Sequence, residues 1–122
     1  HFFARKIFRQ KNSPFSLVFE NARSSACYPI GLYIFLSGEL DEYGAPAAGA
    51  AADAVIEKNI ASERVVFDLS GVKFMDSSGI GFLIGRYKKL QRSRTPAYIS
   101  SPNLAADKVL SVSGVYSLMP RL

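Results

Sequence analysis

The sequence predicts an α/β fold in which helices pack against a mixed sheet of about five strands. The first observation is that runs rich in β-formers alternate with stretches of helical periodicity, in the order β-β-α-β-α-β-α-β. The second is a length of 122 residues with 48% hydrophobic and 20% charged residues, which suits one soluble globular domain. Strands separated by helices need crossover connections, so part of the sheet is predicted to be parallel.

Two strands and a helix are predicted for the first half of the chain. Residues 15–20 and 31–37 are rich in β-formers and are predicted to pair as a hairpin. Asn, Ser and Pro mark residues 21–30 between them as a loop. The alanine-rich residues 44–60 predict the first helix, with Pro46 in its first turn, where a missing N–H has no cost.

The second helix has the clearest pattern in the chain, and a strand precedes it. The apolar run at 65–70 predicts a central strand, and residues 71–76 are interpreted as a connector whose apolar side chains point inward. Apolar residues then recur at helical spacing on one face. These are Ile80, Leu83, Ile84, Tyr87 and Leu90. Thr95 and Pro96 end this helix.

The last third predicts a strand, a helix and a final short strand. Residues 97–100 form the strand, and either Ser101 or Asn103 caps a third helix that runs to about residue 113. Gly114 is the expected residue after the helix end. Residues 115–119 are predicted to be the last strand.

The net charge of +5 lies almost entirely in the first residues. Residues 1–13 hold four basic residues and no acid, whereas the rest of the chain has eleven basic and ten acidic residues. We therefore expect residues 1–13 to be a disordered basic extension and residues 14–122 to be the folded domain. Such a tail is either a solvated segment or a contact for phosphates or anionic lipid. The nearly neutral domain argues against direct DNA binding.

The start of the second helix holds the candidate site, in the sequence FMDSSGIG at residues 74–81. Asp76 is placed to cap the helix, and Ser77 then occupies its first turn. Unpaired backbone N–H groups and the helix dipole favour a phosphate at that position. Gly79 and Gly81 each lower helix propensity by about 1 kcal/mol, which indicates close packing on the sheet or close approach by a partner. On spacing alone, a plain helix cap is the better explanation of the motif, because serines are common at helix starts.

The residue inventory argues against an enzyme. A serine nucleophile needs a base, and the only histidine is His1. Neither a G-x-S-x-G turn nor a phosphate-binding glycine loop occurs. Cys27 is the only cysteine, which precludes a zinc site and an internal disulfide and suits a reducing cytoplasm. No cofactor, metal or catalytic residue is predicted.

Four stretches of the sequence closely resemble the anti-sigma factor antagonists of the STAS domain family, in particular those of the sporulation type. They are SGELD at 37–41, VVFDLS at 65–70, FMDSSGIG at 74–81 and GRYK at 85–88. The resemblance runs from about residue 32 to 121. It implies a STAS-type domain, within which residues 23–28 look like an insertion or a disturbed region in the first hairpin.

The resemblance also implies a switch. An unphosphorylated antagonist of this family binds an anti-sigma factor that is also a serine kinase, and so frees the sigma factor. Phosphorylation of the first serine of the DSSG motif, here Ser77, ends the binding, and a serine phosphatase resets it. Asp76 and Ser78 are then flanking docking residues, together with Gly79 and Gly81. Three residues of the preceding loop are further contact candidates, namely Gly38, Glu39 and Asp41.

The resemblance therefore predicts a cytoplasmic, non-enzymatic protein that regulates transcription during sporulation. It is expected to contact neither DNA nor a membrane. A scaffold or ligand-sensing STAS domain of a stress-signalling or transporter system is the alternative. Absence of a run of 18 apolar residues disfavours a transporter tail.

Overall fold

The computed structural model describes residues 3–9, 16–22 and 31–122, with side chains for the last of these ranges. The strands are β1 (Phe3–Arg9), β2 (Ser16–Ala22), β3 (Gly31–Leu40), β4 (Val65–Met75) and β5 (Ala97–Ser100). The helices are α1 (Ala45–Lys58), α2 (Ser77–Arg92) and α3 (Leu104–Ser113), followed by a 3-10 turn at Val115–Ser117.

The five strands form one mixed sheet in the order β1-β2-β3-β4-β5. The pairs β1–β2 and β2–β3 are antiparallel, whereas β3, β4 and β5 are parallel. Helices α1 and α2 each connect neighbouring parallel strands, and right-handed crossovers place both on the same face of the sheet. This arrangement confirms the predicted α/β fold with helices against a sheet.

The core lies between that face and the three helices. Strand β3 contributes Leu32, Ile34 and Leu36, which alternate with side chains on the opposite face because successive residues of a strand point to opposite sides. Helix α1 buries Ala48, Ala52, Val55 and Ile56. Its small side chains let α1 pack closely on the sheet and on α2.

The structure corrects the predicted N-terminal elements. Strand β1 lies at Phe3–Arg9, within the extension that was expected to be disordered, and pairs with β2. Strand β2 continues to Ala22, into the predicted loop. The proposed insertion at 23–28 and residues 10–13 lie outside the described residues. The division between residues 13 and 14 stays a prediction.

The predicted last strand is also wrong, since residues 115–117 form a 3-10 turn. Gly114 has a φ of 81° and ends α3 in the left-handed region that favours glycine, as predicted. Val115 and Met119 are both buried, and their spacing of four matches one helical turn instead of an alternating strand. The chain returns to the sheet at Arg121, which forms a parallel bridge with Ile99 on β5. In this bridge Ile99 donates to the oxygen of Pro120 and accepts from the N–H of Leu122.

The connector predicted at 71–76 is the second half of β4, which runs to Met75. Its pairing with β3 shifts register between Phe35 and Ser37 and again between Gly38 and Glu39. Such bulges break the alternation of the two faces. Phe74 is consequently 50% exposed, although the sequence predicted that it points inward.

Candidate functional site

The candidate site lies where two parallel strands end beside each other. Glu39 and Leu40 at the end of β3 pair with Phe74 and Met75 at the end of β4. Because parallel strands end at the same edge of the sheet, the loop after β3 and the start of α2 meet there. The sequence-predicted residues of the 38–41 loop and of the 76–81 helix start therefore belong to one end of the domain.

Asp76 caps α2 as predicted. Its backbone is extended, and its carboxylate accepts a hydrogen bond of 2.8 Å from the N–H of Ser78. Its backbone oxygen accepts further hydrogen bonds from the N–H groups of Gly79 (3.0 Å) and Ile80 (3.3 Å). The expectation that free backbone donors await a phosphate is therefore wrong for Ser78 and Gly79, whose N–H groups are already engaged by Asp76.

Ser77 and Ser78 lie on different sides of the helix start. Ser77 is exposed and lines a groove between α2 and α3, whereas Ser78 is half-buried and lines a groove between α1 and α2. A successive pair on a helix is separated by about 100° of rotation, which explains the two directions. Ser77 is therefore the more exposed of the two serines.

The two predicted contact glycines have different surroundings. A Cβ at Gly79 would lie 2.9 Å from Met75 Cγ and 3.1 Å from Leu40 Cγ, so this buried glycine lets α2 approach the strand ends. A Cβ at Gly81 would meet nothing within 4 Å. The geometry thus gives Gly79 a packing role instead of a partner contact and leaves Gly81 facing open space.

The loop after β3 also divides into structural and accessible residues. Gly38 has a φ of 96°, a conformation that side chains other than glycine disfavour, and it stands at a register shift. The carboxylate of Asp41 accepts hydrogen bonds from the N–H groups of Tyr43 (3.1 Å) and Gly44 (3.0 Å), so it stabilises the turn into α1. Glu39 is exposed.

The α1–α2 groove has a volume of about 470 Å³ and extends from Ser78 and Gly81 to Arg86. Arg86 Nε lies 2.8 Å from Asp53 Oδ1, and the guanidinium lies over the ring of Phe82 at 5.2 Å. Burial lowers the pKa of Arg86, and the charge of Asp53 partly offsets this effect. A Cβ at Gly49 would collide with Arg86 Nη1, so this glycine makes room for the guanidinium.

The α2–α3 groove has a volume of about 460 Å³ and is almost wholly apolar. It is lined by Ser77, Ile80, Lys108, Val109, Val112 and Ser113. Val112 is 90% exposed, and Leu104 on the first turn of α3 is 73% exposed. Side chains at positions 104, 108 and 112 share one face of α3 because they are four residues apart. An unusually apolar surface with one lysine therefore adjoins Ser77.

Comparison with protein families agrees with this architecture. A family model of the STAS domain matches residues 24–121, which is most of the chain. The chain belongs to the STAS domain family.

Relatives of this STAS domain include the anti-sigma F factor antagonist of Paenibacillus polymyxa. It is 33% identical over 89 residues, which cover 73% of this chain and 75% of the relative. The resemblance to anti-sigma factor antagonists is thereby confirmed.

Solved structures of the anti-sigma factor antagonist SpoIIAA are similar to the same domain. The unphosphorylated form has a TM-score of 0.63 and 26% identity, over 75% of this chain and 78% of that one. The phosphorylated form of the Bacillus cell fate determinant SpoIIAA has a TM-score of 0.57 and 27% identity, over 75% of this chain and 81% of that one.

Sequence analysis missed three residues that shape the site of this STAS domain. On α1, Asp53 forms an ion pair with Arg86, and Gly49 leaves space for its guanidinium. On α3, Lys108 lines the same groove as Ser77. The helical spacing of Leu104, Lys108 and Val112 was a signal that could have drawn attention to α3. Nothing in the sequence pairs Gly49 with Arg86, since they lie on different helices.

Within residues 31–122 and the two described N-terminal strands, no three histidine, cysteine or acidic side chains come together as a metal site. Over the same part of the chain, no helix combines the length and the apolar character needed to cross a membrane.

Proposed function

We propose that this chain is an anti-sigma factor antagonist that is switched by phosphorylation of Ser77. The unphosphorylated form binds an anti-sigma factor that is also a serine kinase, and so frees a sigma factor. The kinase transfers the γ-phosphoryl group of ATP to the Ser77 hydroxyl, which loses its proton, and ADP leaves. The phosphorylated form no longer binds, and a serine phosphatase restores the hydroxyl.

The relatives support the general role. The relatives from Paenibacillus polymyxa and Lysinibacillus sphaericus, at 33% and 32% identity, are anti-sigma F factor antagonists. The existence of a phosphorylated form of SpoIIAA supports regulation by a phosphate. We extend the proposal to a cytoplasmic, positive role in transcription during sporulation, without direct contact to DNA or membrane.

The placement of Ser77 carries the proposal for this chain. Its side chain is exposed on the first turn of α2, directly after the capping Asp76. It adjoins the α2–α3 groove, and the exposed Glu39 lies at the same end of the domain. A partner that covers this end therefore covers the hydroxyl that is modified, which makes the phosphate a direct obstacle to binding.

Charge explains how a single phosphate ends the binding. A phosphoserine carries about −1.5 to −2 charges near neutral pH, next to the carboxylate of Asp76. In the free domain the charge stays in water at the positive end of α2, which favours it by roughly 0.3–1 kcal/mol. At a closed interface, an unpaired or like-charge contact costs several kcal/mol. At about 1.4 kcal/mol per tenfold, affinity is expected to fall roughly a hundredfold or more.

The test is phosphorylation by the anti-sigma kinase with ATP, followed by mass spectrometry. The wild-type chain is expected to gain one phosphate, and Ser77→Ala to gain none while keeping its fold and its binding to the anti-sigma factor. Ser78→Ala is the matched control, since it removes the neighbouring hydroxyl but leaves the acceptor. Full phosphorylation of Ser77→Ala would refute the assignment. Absence of both phosphorylation and binding in the wild type would favour a scaffold or a ligand sensor.

A further inference from the structure

A phosphate on Ser77 lies at a helix start where the backbone N–H groups of the next two residues are already engaged. The carboxylate of Asp76 accepts a hydrogen bond from the N–H of Ser78, and its backbone oxygen accepts one from the N–H of Gly79. The same carboxylate places a negative charge one residue from the phosphate. The helix dipole alone favours the phosphate only weakly. A cation on a neighbouring element therefore stabilises the dianion beyond what water and the helix end provide.

Lys108 on α3 is placed to supply it. Lys108 and Ser77 line the same groove, from α3 and α2 respectively. Both are exposed, so the lysine can turn towards the serine without losing a buried contact. Lys108 makes no ion pair with another described residue. Its acidic neighbour Asp107 is engaged instead with Arg121, at 2.9 Å, and with the hydroxyl of Tyr116.

Two other cations of α2 already pair with acidic side chains of α1. Arg86 pairs with Asp53 in the α1–α2 groove, on the other side of the helix start. Lys89 pairs with Glu57, three turns along α2. Lys73 on β4 is exposed and is the competing candidate, because it lies four residues before Ser77.

We propose that Lys108 is the charge partner of the phosphate on Ser77, across the α2–α3 groove. This inference rests on the proposed function, in which Ser77 carries a phosphate. The walls of the groove at Ile80, Val109 and Val112 are apolar, so the pair is less screened there than in open water. The pair spans the apolar groove that adjoins Ser77. Phosphorylation thereby both adds charge and covers an apolar surface that is exposed in the unphosphorylated form.

The experiment measures the phosphate itself and needs no kinase. Phosphoserine is inserted at position 77 during translation, and its second pKa is followed by phosphorus NMR during a pH titration at low salt. A nearby ammonium favours the dianion, so the wild-type phosphate titrates lower than it does without the lysine. Lys108→Gln is expected to raise this pKa by about 0.3–0.7 unit, as for an exposed charge pair. Lys108→Arg keeps the charge and is expected to restore most of the wild-type value.

Two lysine variants serve as controls. Lys88→Gln removes an exposed positive charge farther along α2 and is expected to leave the phosphate pKa within the error of the titration. Lys73→Gln is expected to do the same. An unchanged pKa in Lys108→Gln overturns the inference, and so does a shift in Lys73→Gln that matches or exceeds it. Amide NMR spectra of the unphosphorylated variants establish that each is folded.

The outcome is separable from that of the proposed function. If the phosphorylated wild type still binds the anti-sigma factor tightly, the switch is refuted, whereas the titration still reports whether Lys108 pairs with the phosphate. If the titration shows no effect of Lys108 while the phosphate abolishes binding, the switch stands and the charge partner is refuted.

Discussion

Gly81 is expected to be kept open for a partner, because nothing inside the domain requires it to be glycine. It lies in the fifth position of α2, is exposed, and a Cβ there would meet no atom within 4 Å. Glycine in a helix interior costs about 1 kcal/mol relative to alanine. Gly81→Ala is therefore expected to stabilise the domain by about 1 kcal/mol, or roughly 3–6 °C in Tm for a domain of this size.

The larger variant Gly81→Leu separates stability from binding. Leucine is nearly as good a helix former as alanine, so Gly81→Leu should stabilise the free domain almost as much as Gly81→Ala. At a close-packed interface, an inserted side chain of this size costs about 1–3 kcal/mol. Affinity for the anti-sigma factor should then fall by roughly tenfold or more. Urea unfolding gives the stability, and titration calorimetry with the anti-sigma factor gives the affinity.

Two other glycines of α2 provide the controls. Gly85 also has free space around its Cβ position but lies one turn farther from Ser77, so Gly85→Leu should stabilise the domain with a smaller loss of affinity. Gly79→Ala meets Met75 and Leu40, so its propensity gain should be cancelled or exceeded by overpacking. If Gly81→Leu binds as tightly as the wild type, the partner does not approach this part of α2 and the reasoning fails.

Two further predictions concern stability. Asp53→Ala leaves the guanidinium of Arg86, whose side chain is 14% exposed, without its partner. It should lower the free energy of unfolding, measured by urea denaturation, by about 1–2 kcal/mol. Glu57→Ala breaks an exposed pair with Lys89 and should cost far less. Equal losses in the two variants would contradict this prediction. Burial, followed by the hydrogen bond to Asp107 and its charge, raises the pKa of Tyr116 to about 12. The folded state holds the phenol proton more tightly, so this contribution is complete below about pH 10 and is lost as the pH rises towards 12. Tyr116→Phe should flatten the fall of stability over that interval, and an unchanged slope would refute the role of Tyr116.

Local signals in the sequence determined the elements that flank the site. Asp76 caps α2 and Asn103 caps α3. Asn103 accepts a hydrogen bond of 2.8 Å from the N–H of Ala106, so it is Asn103 and not Ser101 that caps α3. Gly114 ends α3. These features depend on hydrogen bonds within four residues and on backbone conformation at single positions, so neighbouring residue types suffice to predict them.

The sequence predicts the strands at the two ends of the chain less well than it predicts the helix ends. Strand β1 was missed because a basic segment with scattered aromatic residues has no strict alternation, and its pairing with β2 is what makes it a strand. The sequence predicts a strand at residues 115–119 because Val115 and Tyr116 are residue types that favour β-structure. The conformation of Val115–Ser117 follows from the left-handed Gly114 before it and from burial of Val115 and Met119.

What only the tertiary structure decided is which residues face each other at the site. The sequence by itself determined that a helix begins after the capping Asp76, with Ser77 in its first turn. It could not show that Gly79 packs on Met75 while Gly81 faces solvent, or that Phe74 turns outward at a register shift. Lys108 and Ser77 are 31 positions apart and line one groove only because the fold brings the start of α2 and the helix α3 to the same side of the domain. Contacts between distant segments depend on how whole elements pack, and no pattern within one element encodes them.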